Sequence, residues 1–275
     1  MATMEVEVKI DFGTRLVKVP VKVNGQGPFT FDLDTGASVT TLTPQLAESL
    51  GIVTHMGSKK EAHGIGGSVP TKYADVAIGV GPLEFEKDEV YVLDVNALLK
   101  TSGGREGVLG YTTLKHCTIS LSYNKQKFKL KKGDSNSNGN GIAWSPFEYI
   151  NDSHLVGVPV HINGKGPYNF VVDTGAGNTV MTPGLAEKVG IEAQAVQGIA
   201  RGIGGDVELK MAGLESLSVG PAQITNSQIV VIDLSKVSPK GCLIENGIIG
   251  YDFLKNFETI IDYPNMQFSF LDERS

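Results

Sequence analysis

The chain is one unit used twice. Residues 23–52 read VNGQGPFTFDLDTGASVTTLTPQLAESLGI, and residues 162–191 read INGKGPYNFVVDTGAGNTVMTPGLAEKVGI. The two stretches align without a gap at an offset of 139, with 17 of 30 positions identical. The correspondence continues in the same order. His63–Val69 (HGIGGSV) answers Arg201–Val207 (RGIGGDV), and Asp94 answers Asp233. Gly107–Tyr111 (GVLGY) answers Gly247–Tyr251 (GIIGY), and Tyr123 answers Tyr263. A single duplication of a domain-sized unit predicts two like lobes and excludes an array of short repeats.

Between the copies, Lys132–Ser145 reads KGDSNSNGNGIAWS. Its Gly, Ser and Asn residues cannot bury a core, which is the composition of a flexible linker. The expected division is a first lobe over 1–131, a linker over 132–147 and a second lobe over 148–275. Trp144 and Phe147 mark the return to packed structure.

Within each unit the pattern is β. Leu16–Val23 alternates polar and apolar, and Asn24-Gly25 supplies a hairpin turn, repeated at Asn163-Gly164. Phe29–Leu33 and Tyr168–Val172 read as the returning strands, each running into Asp-Thr-Gly. Thr43 as N-cap, Pro44 at the first position and Gly51 beyond the end predict a short helix, repeated with Thr182, Pro183 and Gly190. Brief helices are expected at Thr112–His116 and Asp252–Phe257. The 34 glycines of the 275 residues favour such turn-rich structure.

The two Asp-Thr-Gly tripeptides carry the chemistry. One alone would be a turn or a cap, but Asp34 and Asp173 recur in register inside a duplicated fold. If the lobes pack about a pseudo-twofold axis, the two carboxylates meet on it. Two carboxylates in contact cannot both ionise, so they share one proton. The ionised member can then take a proton from water, and the protonated member can donate to a carbonyl oxygen.

These residues resemble the retropepsin and pepsin superfamily of aspartic proteases over nearly the whole chain, twice. Three motifs carry the resemblance: the apolar strand ending in DTGA, the glycine hairpins (Gly64–Gly67 and Gly202–Gly205), and Val108-Leu109-Gly110 with Ile248-Ile249-Gly250. The resemblance implies an all-β fold of two pseudo-twofold-related acid-protease β-barrel lobes with short helices and the active site between them. It implies an aspartic endopeptidase with Asp34 and Asp173 as the catalytic pair. Thr35 and Thr174 would brace the lobes, and Gly36 and Gly175 would leave room for substrate backbone. The hairpins would be flaps over an extended polypeptide, with His63, Gly64, Ile65, Arg201, Gly202 and Ile203 against it. Neither hairpin has the pepsin-type tyrosine, so the chain is closest in kind to two fused retropepsin-like units and is expected to work as a monomer. Ala37 and Ala176 follow the DTG motifs, where a Ser or Thr would favour the charged carboxylate, so the pH optimum is expected to be weakly acidic to neutral. A non-catalytic peptide-binding protein, or a hydrolase of a non-peptide amide, remains open from the residues alone.

Other chemistries find little support. The net charge is −6 with only four arginines, so there is no basic stripe for nucleic acid. The five histidines are scattered and form no zinc motif, and no cofactor is expected. The glycine hairpins lack the phosphate-loop pattern. Asp94 and Asp233 follow apolar strands and read as caps. Cys117 and Cys242 do not match in the repeat and read as buried apolar residues, with a single bridge between them the alternative. With no apolar run of spanning length and no leader in the first residues, no membrane partner is expected. The location would be cytoplasmic if the chain begins as given, or periplasmic or secreted if a leader has been removed.

Overall fold

The computed structural model describes residues 4–11, 13–64, 67–98, 104–133, 142–202, 205–236 and 243–274. In the N-terminal half, six strands carry the fold: β1 (Leu16–Val23), β2 (Gln26–Leu33), β3 (Thr41–Leu42), β4 (Gly67–Val80), β5 (Leu83–Val92) and β6 (Gly107–Leu109). They pair in the order β1-β2-β6-β3-β5-β4, and β4 pairs back onto β1, which closes the sheet into a barrel. The C-terminal half repeats this with β7 (Val156–Ile162), β8 (Lys165–Val172), β9 (Val180–Met181), β10 (Gly205–Val219), β11 (Ala222–Val231) and β12 (Gly247–Ile249). Their order is β7-β8-β12-β9-β11-β10, closed by β10 on β7. The fold is all-β with two barrel lobes and short helices.

The local chemistry explains these elements. Val17, Val19, Val21 and Val23 lie fully buried on one face of β1, as strand alternation requires. Asn24 and Gly25 both take left-handed backbone (φ 49 and 75), and Asn163 and Gly164 do the same (φ 48 and 75), the turn that twists with its strands. The Thr43 hydroxyl caps the helix Pro44–Ser49 by accepting from the Leu46 amide (3.3 Å). Thr182 does this for Pro183–Val189. The helices after each Gly-Tyr run over Tyr111–Leu114 and Tyr251–Leu254, shorter than the sequence suggested. They stop early because Cys117 and Phe257 already begin strands of a third sheet.

That third sheet joins the lobes. Its six strands run Met4–Glu7, Lys127–Lys132, Cys117–Ser122, Phe257–Asp262, Gln267–Asp272 and Ser145–Pro146. At its centre the equivalent strands of the two halves pair antiparallel, with Ile119 opposite Ile261, as a twofold between them demands. One contiguous apolar core then runs through both barrels and this sheet, including Val19, Phe31, Phe128, Phe170, Phe253 and Phe257. Cys117 is buried in it as a free thiol, and Cys242 lies outside the described residues. Among the described residues no helix is long and apolar enough to cross a membrane.

A shared core predicts a shared fate. Phe128→Ala, in a fully buried site of the joining sheet, should cost about 3–5 kcal/mol. In chemical denaturation monitored by far-UV circular dichroism, one transition for the whole chain should move to lower denaturant. Loss of one lobe with retention of the other would contradict the single core.

Candidate active site

Strand alternation aims the aspartates. Phe31 and Leu33 point into the N-terminal core, so Asp32 and Asp34 face the other way. β2 runs parallel to β6, and the Asp34 amide donates to the Leu109 carbonyl (3.1 Å) just past the last strand pair. The Asp173 amide donates likewise to the Ile249 carbonyl (3.0 Å). The Val-Leu-Gly and Ile-Ile-Gly segments therefore lie directly under the two loops. The Tyr111 amide donates to the Ala37 carbonyl and the Tyr251 amide to the Ala176 carbonyl, both at 2.9 Å.

The loops are locked to each other across the lobes. The Thr35 hydroxyl donates to the Val172 carbonyl (2.8 Å) and accepts from the Thr174 amide (3.0 Å). The Thr174 hydroxyl donates to the Leu33 carbonyl (2.9 Å) and accepts from the Thr35 amide (3.1 Å). Both residues are almost wholly buried, so each hydroxyl satisfies two backbone groups that water cannot reach.

The brace holds the carboxyls together. A Cβ built on Gly36 would sit 2.7 Å from the Asp173 carboxyl carbon, and one on Gly175 2.6 Å from that of Asp34. The room these glycines leave is filled by the opposite lobe's carboxyl. The two carboxyls hydrogen-bond each other. Asp34 Oδ1 accepts from the Gly36 and Ala37 amides, both 2.9 Å, and Asp173 Oδ1 from the Gly175 amide (2.8 Å). Burial, then the charge and hydrogen bond of Asp173, hold Asp34 well above the usual carboxylate range. Burial also raises Asp173, but amide donors and the Asp34 hydrogen bond pull back toward the charged form. Two buried carboxyls this close cannot both ionise, so the pair shares one proton. The hydroxyl that could sharpen the acidity is missing at Ala37 and Ala176.

Two further residues cross the axis. His154 Nε2 lies 2.8 Å from the Gly36 carbonyl oxygen. Arg15 donates to the Gly177 carbonyl (2.9 Å) and to Asn178 Oδ1 (2.6 Å). They stand 139 positions apart, so each lobe lends the same position to the other lobe's loop. Sequence reading passed over both because the register is kept while the residue type is not. Beneath the loops, Tyr123 stacks edge-on to Tyr251 and Tyr263 to Tyr111. The Tyr123 and Tyr263 hydroxyls are buried without a hydrogen-bond partner among the described residues. Burial first, and the nearby charge of Asp173 with it, raises the Tyr123 phenol.

The hairpin strands His55–Gly64 with β4, and Gln194–Gly202 with β10, pair down to Gly64 opposite Gly67 and Gly202 opposite Gly205. His63 and Arg201 stand in these strands, while Ile65 and Ile203 lie outside the described residues. Asp94 accepts from the Ala97 amide, and Asp233 from the Ser235 amide, both at 2.9 Å, so both act as caps.

Comparison with known proteins agrees with this geometry. A family model described as Aspartyl protease matches residues 19–113 and 158–253, once in each lobe. The chain belongs to the aspartyl protease family. Among solved structures it is similar to the aspartic proteinase from Irpex lacteus, at 15% identity and a TM-score of 0.56. That similarity covers 98% of this chain and 97% of the other, and at this identity it speaks for the two-lobed fold. A search of curated proteins returned no match.

Two outcomes follow from the geometry of this family member. Thr35→Val leaves a buried amide and a buried carbonyl unpaired and should cost about 2–5 kcal/mol, read by urea denaturation. The raised carboxyls bind a proton more tightly in the folded than in the unfolded chain, so the dyad's contribution to stability falls as pH rises from near 4 through the raised folded values. Asp34→Asn removes that penalty. It should raise the thermal midpoint at pH 7 more than at pH 4, and an equal rise at both would refute the shared-proton assignment.

Proposed function

We propose that this chain is an aspartic endopeptidase that hydrolyses extended polypeptide with a water activated between Asp34 and Asp173. The single observation that carries this is the meeting of two buried carboxyls, one from each lobe, each against the glycine of the other lobe's loop. Asp173 takes a proton from the water while Asp34 gives its own to the carbonyl oxygen of the scissile amide. The water oxygen bonds to the carbonyl carbon and a neutral tetrahedral diol forms. On collapse the C–N bond breaks, the nitrogen takes the proton held by Asp173, and Asp34 recovers one from the diol hydroxyl. Atoms and charges balance, and the dyad returns to its starting state.

The substrate lies extended between the barrels, paired as an added strand with the two glycine hairpins. On this reading the hairpin residues expected to contact it are His63, Gly64, Ile65, Arg201, Gly202 and Ile203. Because one chain supplies both carboxyls, a monomer suffices. Residues 1–131 and 148–275 act as the two lobes, with 132–147 as the tether.

Cleavage requires exactly one proton on the pair, so activity is bell-shaped in pH. With both carboxyls raised and no hydroxyl at positions 37 and 176, the maximum lies in the weakly acidic to neutral range. The test is cleavage of a denatured protein across pH 3–8, analysed by mass spectrometry. Asp34→Asn and Asp173→Asn should each lower the rate by about a hundredfold or more, and a pepstatin-type inhibitor should block the wild type. Equal cleavage by all three proteins would refute the dyad. Peptide binding without cleavage would favour a non-catalytic role for the cleft.

A further inference from the structure

The two lobes differ in chemistry beside their carboxyl loops. In the C-terminal half a small apolar cluster, separate from the main core, contains Leu155, Val171, Val180, Val230 and Ile248. Ala176 of the Asp173 loop and Leu209 of hairpin strand β10 pack on it. It therefore lies between the carboxyl loop and the hairpin. The repeat offset of 139 carries Val171, Val180 and Val230 onto Asp32, Thr41 and Tyr91. Leu155 and Ile248 answer Leu16 and Val108, so the N-terminal counterpart stays apolar there and turns polar at those three positions.

The polar wall is built around a buried ion cluster. Asp32 is 2% exposed and Arg105 6%. Arg105 Nε lies 3.0 Å from Asp32 Oδ2, and Lys18 Nζ pairs with Asp32 Oδ1. Two cations thus face one carboxylate. The nearby Glu106 is spent on the Thr30 amide (2.7 Å), and the Tyr91 hydroxyl on Glu89 (2.9 Å). The Thr41 hydroxyl is buried with no partner among the described residues. Asp32 shares its strand face with Asp34, two residues before the dyad.

We infer that the N-terminal wall selects a substrate side chain bearing an acceptor oxygen, a carboxylate or an amide, while the C-terminal wall selects an apolar one. The Thr41 hydroxyl is a donor without a partner among the described residues, and the two cations about Asp32 leave a positive excess that favours an acceptor oxygen. A basic side chain meets an Asp32 already paired with two cations and is repelled by both. An aliphatic one leaves the buried polar atoms unpaired, which is the costly alternative. The inference rests on the reading of the cleft as a peptide site.

Selection by binding separates the two claims. A randomised peptide library is panned on immobilised Asp34→Asn protein. Two enriched positions are expected, one in Asp, Glu, Asn or Gln and one in Leu, Ile, Val or Phe. Replacing the acidic residue by Leu should weaken binding about tenfold or more, measured by fluorescence anisotropy. Adding Asp32→Val with Arg105→Leu should abolish the acidic preference and keep the apolar one. Should that variant fail to fold, the enrichment on the parent protein decides alone. Apolar preference at both positions, enrichment of Lys or Arg, or no enrichment at all would overturn the inference. If wild type bound the selected peptides with this preference but cleaved none, the protease reading would fail and the wall assignment would stand.

Discussion

The centre of this molecule depends on two threonine hydroxyls that cross between its halves. Each is spent on two backbone groups of the opposite strand end. In a buried setting those bonds are obligatory, because the groups they satisfy have no water to fall back on. The crossing fixes where β2 and β8 stop, and the carboxyls that follow have no choice but to meet. Every other feature of the site is a response to that meeting: glycines where a Cβ would strike a carboxyl, amides aimed at each Oδ1, and one proton held between two acids.

The wider architecture serves the same constraint. Two barrels touching only at a loop would not hold carboxyls at hydrogen-bond distance. The joining sheet, with Cys117–Ser122 against Phe257–Asp262, and the core that runs through it make the halves one body. The local elements are ordinary by comparison: valines on one face of β1, Asn-Gly turns with left-handed backbone, and threonine-capped helices.

Much of this was legible in the sequence because it is carried by residue identity. The duplicated Asp-Thr-Gly, the turns and the caps are each signalled by residues with few substitutes for their job. What escaped is carried by position. Arg15 and His154 do related work with different chemistry, so a comparison that counts identities passes over them. Lys18 and Asp32 face each other across one hairpin, but Arg105 comes from a distant part of the chain and only the barrel brings it to them. Tyr123 and Tyr263 were visible as a repeat, but their place beneath the carboxyl loops needed the fold. The helix ends at Leu114 and Leu254 were set by strands that begin soon after, which local preference cannot foresee.

The fusion of the two units has a consequence for direction. A pair of identical lobes about a true twofold would present the same cleft to a polypeptide read forwards or backwards. A polypeptide is not the same read both ways. Once both lobes belong to one chain, Asp32 can stand where its twin is Val171, and Arg15 where its twin is His154. The scaffold keeps the symmetry that brings two carboxyls together, while its surface gives it up, so the cleft acquires a head and a tail.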